Sequence, residues 1–116
     1  MHEMAILSNV MDMVLDYAEQ NNAIEVEEVS LVVGEMRDVV DELMESCFRF
    51  LARDTIAANA RLVMTKVPLR AQCKDCLLVF PVSVDPGTEL SCPDCGSRNL
   101  GVKTGREFYI DSITVR

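Results

Sequence analysis

Four of the five cysteines in this 116-residue chain form two Cys-x-x-Cys pairs. The pairs span Cys73–Cys76 and Cys92–Cys95, with fifteen residues between them. Each pair can form a tight turn that offers two sulfurs to one cation, so the two pairs supply the four corners of a tetrahedron. Pro93 and Gly96 suit such a turn, because proline fixes φ and glycine permits a positive φ. The spacing predicts one four-thiolate metal site, with the ligands Cys73, Cys76, Cys92 and Cys95.

Other readings of the cysteines fit the sequence less well. A thioredoxin-like redox motif normally opens a helix after a strand, and neither pair does so. The odd cysteine count and the lack of a signal peptide argue against structural disulfides. Cys-Pro-x-Cys-Gly is also a rubredoxin-style turn, so iron is chemically possible, but rubredoxins surround their iron with aromatic residues and this loop holds only Phe80. We therefore predict structural zinc, whose binding would supply on the order of 10 kcal/mol of folding free energy.

Composition and charge limit the classes of partner. The chain is 49% hydrophobic with a net charge of −8, which is typical of a globular protein and not of a basic nucleic-acid-binding surface. Near the cysteines only Lys74, Arg98 and Lys103 could contact phosphates. No apolar run approaches the length of a membrane span. We expect no nucleic-acid partner, no membrane partner and, from the reduced cysteines and missing targeting segment, a cytoplasmic location.

Apolar residues at helical spacing predict two amphipathic helices. The first should begin near Glu3 and end near Asn21-Asn22, with an apolar stripe of Met4, Leu7, Met11, Val14 and Ala18. The second should start after an N-cap at Asp38 or Asp41. Its stripe is Val40, Leu43, Met44, Cys47, Phe48 and Leu51. On this stripe Cys47 is expected to be an inert core thiol.

Alternating and β-branched residues predict strands over 26–36, 61–73 and 108–115. Gly34 should break or bulge the first strand, and Pro68 should mark an edge or a bend of the second because it cannot donate to a ladder. The predicted fold class is α+β: two helices packed on a small three-stranded sheet, with an inserted zinc-ribbon-like lobe before the last strand. Residues 1–70 plus 105–116 would form the α/β core, and residues 71–104 the zinc-binding domain.

The sequence shows no recognisable catalytic site. The only histidine is His2, so no Ser/His/Asp set can be assembled, and no glycine-rich phosphate loop is present. We therefore predict that the chain is not an enzyme.

The start of the chain has chelating chemistry of its own. Initiator methionine is poorly removed before a residue as large as histidine, so we expect the α-amine to belong to Met1. That amine, the backbone nitrogen of His2 and the His2 ring nitrogen Nδ1 form consecutive five- and six-membered chelate rings. Deprotonated amide nitrogens give the strong in-plane field that suits Ni(II) or Cu(II). The amide nitrogen of Glu3, a carboxylate or water would complete the plane.

The chain resembles the HypA/HybF family over its whole length. The resemblance rests on Met-His-Glu at the start, the helix–strand–helix order with Val33-Gly34-Glu35, and the two Cys-x-x-Cys pairs before a terminal strand. The family's nickel-binding histidine falls on His2, with Glu3 beside it, and its zinc cysteines fall on the four named above. Some members also use an acidic residue near the start of the second helix as a nickel ligand. Here Val40 and Asp41 are both candidates for that position, so Asp41 is left as a possibility.

The resemblance implies a nickel metallochaperone for the maturation of [NiFe]-hydrogenase, with Ni(2+) at the N-terminus and a separate structural Zn(2+) site. Residues 1–70 plus 105–116 would then be the nickel-binding core. The implied partners are the HypB nickel-insertion GTPase and the [NiFe]-hydrogenase large subunit, and the expected state is a monomer or weak homodimer. The alternative is a zinc-ribbon interaction or nucleic-acid-binding module, and a third reading is a rubredoxin-like electron carrier.

Overall fold

The computed structural model describes residues 2–83 and 89–116. Its elements are α1 (Glu3–Gln20), β1 (Val26–Gly34), a 3-10 turn (Glu35–Arg37), α2 (Asp41–Ala52), β2 (Arg61–Val67), β3 (Arg70–Cys73), β4 (Val79–Pro81), β5 (Leu100–Thr104) and β6 (Phe108–Val115). The strands form two three-stranded sheets, in the orders β2-β1-β6 and β4-β3-β5. The predicted α+β class is confirmed, and the second sheet, whose strand β3 ends at Cys73, was not predicted.

Contacts between residues divide the chain into two compact units. The first, here called the helical unit, comprises Met1–Val32, Asp38–Thr65 and Tyr109–Arg116. The second, here called the cysteine unit, comprises Val33–Arg37 and Lys66–Phe108. The domain boundaries given above, at residues 70 and 105, stay a prediction.

The helical unit is built on the packing of α1 against α2. Leu7, Val10 and Val14 of α1 are fully or almost fully buried, as are Met44 and Phe48 of α2. These positions follow the three- and four-residue spacing of a helical face. No helix within residues 2–83 and 89–116 is long and apolar enough to cross a membrane.

The apolar stripes are narrower than predicted at the ends of the helices. Met4 is 43% exposed, and the buried position one turn before Leu7 is taken by Glu3, which is 5% exposed. Val40 and Leu43 are exposed on α2, and Cys47 is half-buried. Each of these side chains lies near a helix end or on the flank of a face, where packing partners are fewer.

The predicted N-cap of α2 is wrong. Val40 occupies the cap position, with extended backbone and no side-chain cap of its own. Asp38 lies two residues earlier with a φ of 51°, and Asp41 is the first residue of the helix. The backbone N–H of Val40 donates instead to Oε2 of Glu3 at 3.1 Å. A carboxylate from the start of α1 therefore satisfies an N–H at the start of α2.

The strand predictions hold closely. β1 spans Val26–Gly34 and lies at the centre of its sheet. The predicted 61–73 strand is two strands, β2 and β3, which end and begin on either side of Pro68. That break follows from proline's missing N–H, and the predicted bend is confirmed. The last strand is Phe108–Val115, as predicted.

Within the cysteine unit, the short segment Val33–Arg37 is bound to the return of the chain after β5. The N–H of Gly34 donates to the carbonyl of Glu107 at 2.6 Å, and the N–H of Met36 donates to the carbonyl of Gly105 at 2.8 Å. The Glu35 carboxylate accepts the N–H of Leu69 at 2.8 Å. Two backbone hydrogen bonds, from Gly34 and Met36, and one side-chain carboxylate, from Glu35, therefore hold this segment in place.

The two units differ strongly in charge. The helical unit holds thirteen acidic and four basic residues, a net charge of −9. The cysteine unit holds six acidic and seven basic residues, a net charge of +1 with its thiols neutral. All of the chain's excess negative charge thus belongs to the unit that contains the N-terminus.

Candidate metal centres

The first cysteine turn closes on itself through two backbone hydrogen bonds. The N–H of Cys73 donates to the carbonyl of Leu78 at 2.9 Å, and the N–H of Leu77 donates to the carbonyl of Cys73 at 2.9 Å. This closure holds Leu77 at a φ of 68°. A positive φ is costly for a bulky side chain, so the turn geometry prevails over the local preference of leucine.

The second turn repeats the first at the same offsets. The N–H of Cys92 donates to the carbonyl of Ser97 at 2.8 Å, and the N–H of Gly96 donates to the carbonyl of Cys92 at 2.9 Å. Gly96 has a φ of 75°, as the sequence predicted for a glycine here, and it occupies the position of Leu77.

The two turns bring all four predicted sulfurs together. The Sγ atoms of Cys73, Cys76, Cys92 and Cys95 lie within 4.8 Å of one another. Cys73 Sγ lies 3.5 Å from Cys95 Sγ, and Cys76 Sγ lies 3.5 Å from Cys92 Sγ. Tetrahedral zinc with Zn–S bonds of about 2.3 Å places its sulfurs about 3.8 Å apart. These four thiols therefore fit a closed tetrahedral zinc site.

The pKa of the thiol is lowered at the first cysteine of each pair, Cys73 and Cys92, and raised at the second, Cys76 and Cys95. The backbone N–H of Cys76 donates to Cys73 Sγ at 3.4 Å and lowers the pKa of the Cys73 thiol to about 7. The N–H of Cys95 likewise lowers the pKa of Cys92. At Cys76 the N–H of Leu78 lowers the pKa, but partial desolvation and the neighbouring thiols outweigh it and raise that pKa to about 12. Four thiolates this close together need a divalent cation to compensate their charge.

All five cysteines are free thiols. The expectation that none forms a disulfide is consistent with this, and the inter-turn sulfur pairs have the spacing of ligands around a common atom. Cys47, half-buried on α2, belongs to the helical unit and takes no part in the cluster.

The second candidate centre lies at the start of α1. Met1 falls outside the described residues. His2 is exposed and serves as the N-cap of α1 through its carbonyl, which accepts the N–H of Ile6 at 3.0 Å. Its side chain makes no capping hydrogen bond in the described part of the chain. The imidazole is therefore held at a helix start with its ring atoms available to a ligand.

Glu3, the first residue of α1, has a buried carboxylate, unlike the exposed His2 before it. Its buried carboxylate accepts the N–H of Val40, and that hydrogen bond, followed by one from its own N–H, lowers the pKa of Glu3 although burial opposes the shift. The carboxylate is thus ionised and fixed between two helix starts. Asp41 follows Val40 directly, so the first residue of α2 lies next to this contact.

Comparison with known proteins identifies the family to which the chain is similar. Residues 1–115 match the family model described as "Hydrogenase/urease nickel incorporation, metallochaperone, hypA". The hydrogenase maturation factor HypA of Dehalococcoides mccartyi is 36% identical over 115 residues, which cover 99% of this chain and 94% of that protein. The solution structure of the Ni metallochaperone HypA from Helicobacter pylori is 27% identical with a TM-score of 0.66, covering 99% of this chain and 97% of that one. A second solution structure, of a HypA protein, is 25% identical with a TM-score of 0.74, covering 100% and 97%.

A two-unit α+β fold with a four-cysteine cluster, matched throughout to nickel-incorporation proteins, defines a metallochaperone. The family is shown over the whole chain by sequence and structure together. The chain belongs to the HypA family of hydrogenase maturation factors.

Three side chains that organise the cysteine unit were not predicted as site residues. They are Asp75, Ser97 and Asn99, which join the two turns through side-chain hydrogen bonds. Their types are common in turns, so the sequence gives no separate indication of this role.

Proposed function

We propose that this protein carries Ni(II) at its N-terminus and delivers it to [NiFe]-hydrogenase during maturation. The proposed ligands are the Met1 amine, the backbone nitrogen and ring of His2, and Glu3 through its amide nitrogen or carboxylate. The observation that best supports this is the exposed His2 ring at the start of α1, in a chain whose family model describes nickel incorporation.

The helix start supports the chelate in one respect and opposes it in another. The first-turn N–H groups of a helix have no intrahelical acceptor, so the amide nitrogens of His2 and Glu3 can lose protons without breaking the helical ladder. The positive end of the helix dipole, however, disfavours a cation. Deprotonated amides and the ionised Glu3 carboxylate supply the negative charge that offsets it.

The four-cysteine cluster is proposed to hold structural zinc through Cys73, Cys76, Cys92 and Cys95. When bound, zinc supplies a fixed cross-link between the two turns and no redox chemistry. With two separate centres of different ligand type, one metal ion can stay bound while the other is passed on. A metal ion in a closed thiolate site exchanges more slowly than one in an open chelate at a chain end.

We propose that the chain works as a carrier and not as an enzyme. It would act in the cytoplasm, as a monomer or weak homodimer, in concert with the HypB nickel-insertion GTPase, with the hydrogenase large subunit as recipient. The family description and the relatives' names support hydrogenase maturation as the pathway.

Calorimetric nickel titration of the zinc-loaded protein with a native N-terminus tests the nickel site. His2→Ala should abolish specific binding while leaving the fold and zinc content unchanged, since His2 is exposed. Residues added before Met1 should weaken or remodel the site by removing the amine, whereas a tag after Arg116 should have no effect.

Glu3→Gln is the matched comparison. It should cost less nickel affinity than His2→Ala if the Glu3 backbone matters more than its carboxylate. Unchanged nickel affinity in the His2→Ala variant would refute the N-terminal site and favour a zinc-ribbon interaction module.

A further inference from the structure

Side chains other than the cysteines join the two turns of the cysteine unit. The hydroxyl of Ser97 donates to Oδ2 of Asp75, and the side-chain nitrogen of Asn99 donates to Oδ1 of the same carboxylate at 3.5 Å. The N–H of Asn99 donates to Ser97 Oγ at 3.0 Å. The N–H of Lys74 donates to the carbonyl of Asn99 at 2.9 Å. These contacts between Lys74-Asp75 and Ser97–Asn99 are called the Asp75 clamp below.

The two cysteine turns have the same backbone hydrogen bonds, but only the first turn provides a carboxylate to the clamp. Asp75 and Asp94 hold the same position in their turns, each directly before the second cysteine of its pair. Both are exposed. Asp94, however, has no hydrogen-bond or ion-pair partner for its side chain among residues 2–83 and 89–116. The backbone repeat therefore does not explain the clamp; specific side chains make it.

We propose that Asp75 is a positioning residue that slows the release of zinc by resisting the separation of the two cysteine turns. The inference rests on the proposed zinc site. Zinc leaves a four-thiolate site only when sulfurs withdraw from it, and the simplest opening moves the first turn away from the second. The Asp75 clamp opposes that movement without using a sulfur, so it acts on the ligands through their turns.

The clamp is suited to control lifetime more than folding. Its bonds are exposed, and exposed hydrogen bonds contribute little to stability because water competes for both partners. A transient opening is different, because the clamp bonds must break along with the metal–sulfur bonds. In a carrier that exchanges one metal, such a device keeps the second metal resident.

The test is the rate of zinc transfer from the full-length zinc-loaded protein to a chromogenic chelator in excess. Asp75→Ala should release zinc about 10-fold faster than wild type. This is the lower end of the change in metal affinity that follows the loss of a hydrogen-bond partner of a ligand, because Asp75 acts through the turns and not on a sulfur. Asp94→Ala should release it at the wild-type rate. Both variants remove one negative charge at the same offset from the ligands, so a difference between them reports the contacts and not the charge.

Ser97 provides a second pair of variants in case Asp75→Ala loads poorly. Ser97→Ala should accelerate release, and Ser97→Thr, which keeps the hydroxyl, should restore the slow rate. Amide hydrogen exchange in the zinc-bound protein gives an independent readout. The Lys74 amide, which donates across the turns, should exchange faster in Asp75→Ala, while the Gly96 amide, which donates within its own turn, should not change.

Equal release rates for Asp75→Ala and Asp94→Ala, in protein that binds zinc, would overturn the clamp alone. A wild-type protein that binds no zinc would overturn the zinc site and the clamp with it. A Lys74 amide unaffected by Asp75→Ala would also count against the proposal, because the first turn would then be opening by another route.

Discussion

Gly34→Ala should destabilise the protein strongly, because the added Cβ would overlap backbone atoms of Gly105 and Arg106. A Cβ added at Gly34 would lie 2.1 Å from the carbonyl oxygen of Gly105, 2.2 Å from its carbon and 2.7 Å from the nitrogen of Arg106. None of these atoms can rotate away as a side chain would. The segment that contains Gly34 and the return of the chain at residues 105–107 must therefore separate.

The magnitude follows from what that separation breaks. It lengthens the hydrogen bonds from Gly34 to Glu107, now 2.6 Å, and from Met36 to Gly105, now 2.8 Å. Two weakened backbone bonds cost about 1 kcal/mol each, and overpacking of a tight contact costs about 1–3 kcal/mol. Alanine regains about 0.5–1 kcal/mol through the lower entropy of the unfolded chain. The net loss is about 3 kcal/mol, a large share of the roughly 5–15 kcal/mol stability of a typical domain.

Urea unfolding of the zinc-loaded protein, followed by circular dichroism, measures this loss. Gly101→Ala is the matched control, because Gly101 also lies in a strand and its added Cβ would meet only the Lys74 Cε atom, at 3.2 Å. That side chain can move, so the control should stay within about 0.5 kcal/mol of wild type. Equal midpoints for the two variants would refute the reasoning from the Gly34–Gly105 contact.

Three further predictions concern the cysteine turns and the start of α1. Leu77→Gly should raise the stability of the zinc-bound protein and Gly96→Ala should lower it, each by about 1 kcal/mol, because both positions require a positive φ. An added Cβ at Gly96 would meet no atom within 4 Å, so the loss there reports the backbone conformation alone. The opposite order of stabilities in calorimetry would contradict this. Cys73→Ala, or a strong chelator, should unfold the cysteine unit while α1 stays helical, as judged from amide dispersion by NMR; a metal-free unit that stays folded would argue against structural zinc. Because the pKa of Glu3 is lowered in the folded protein, its stabilising effect is complete above the ordinary glutamate range and is lost as the pH falls through the lowered value. The Val40 amide shift should titrate in that acidic range, and Glu3→Gln should abolish the titration.

The features that the sequence predicts well are local ones. The two cysteine pairs, the glycine at positive φ in the second turn and the break at Pro68 each depend on a few neighbouring residues, and all are found. The bounds of α1 follow equally from spacing and turn residues. Each of these patterns involves residues of a single turn or a single helix or strand, where the residue types directly limit the backbone conformation.

The features that the sequence does not predict depend on distant contacts. Glu3 meets Val40 across 37 residues, and Asp75 meets Ser97 across 22. Nothing near Glu3 indicates that it, and not Met4, faces the interior. Leu77 is a different case, because leucine avoids positive φ, so local preference predicts the wrong conformation. There the closure of the metal turn determines the backbone.

The division of charge between the units has a kinetic consequence. A net charge of −9 on the helical unit concentrates free cations around the unit that contains His2. Nickel should therefore arrive faster than by unassisted diffusion, and the arrival rate should fall with added salt as the screening length shortens from about 30 Å at 0.01 M to about 8 Å at 0.15 M. The nearly neutral cysteine unit generates no such attraction, so zinc exchange there should depend little on ionic strength. Under the proposed function, the capture of nickel should thus be sensitive to ionic strength and the retention of zinc should not.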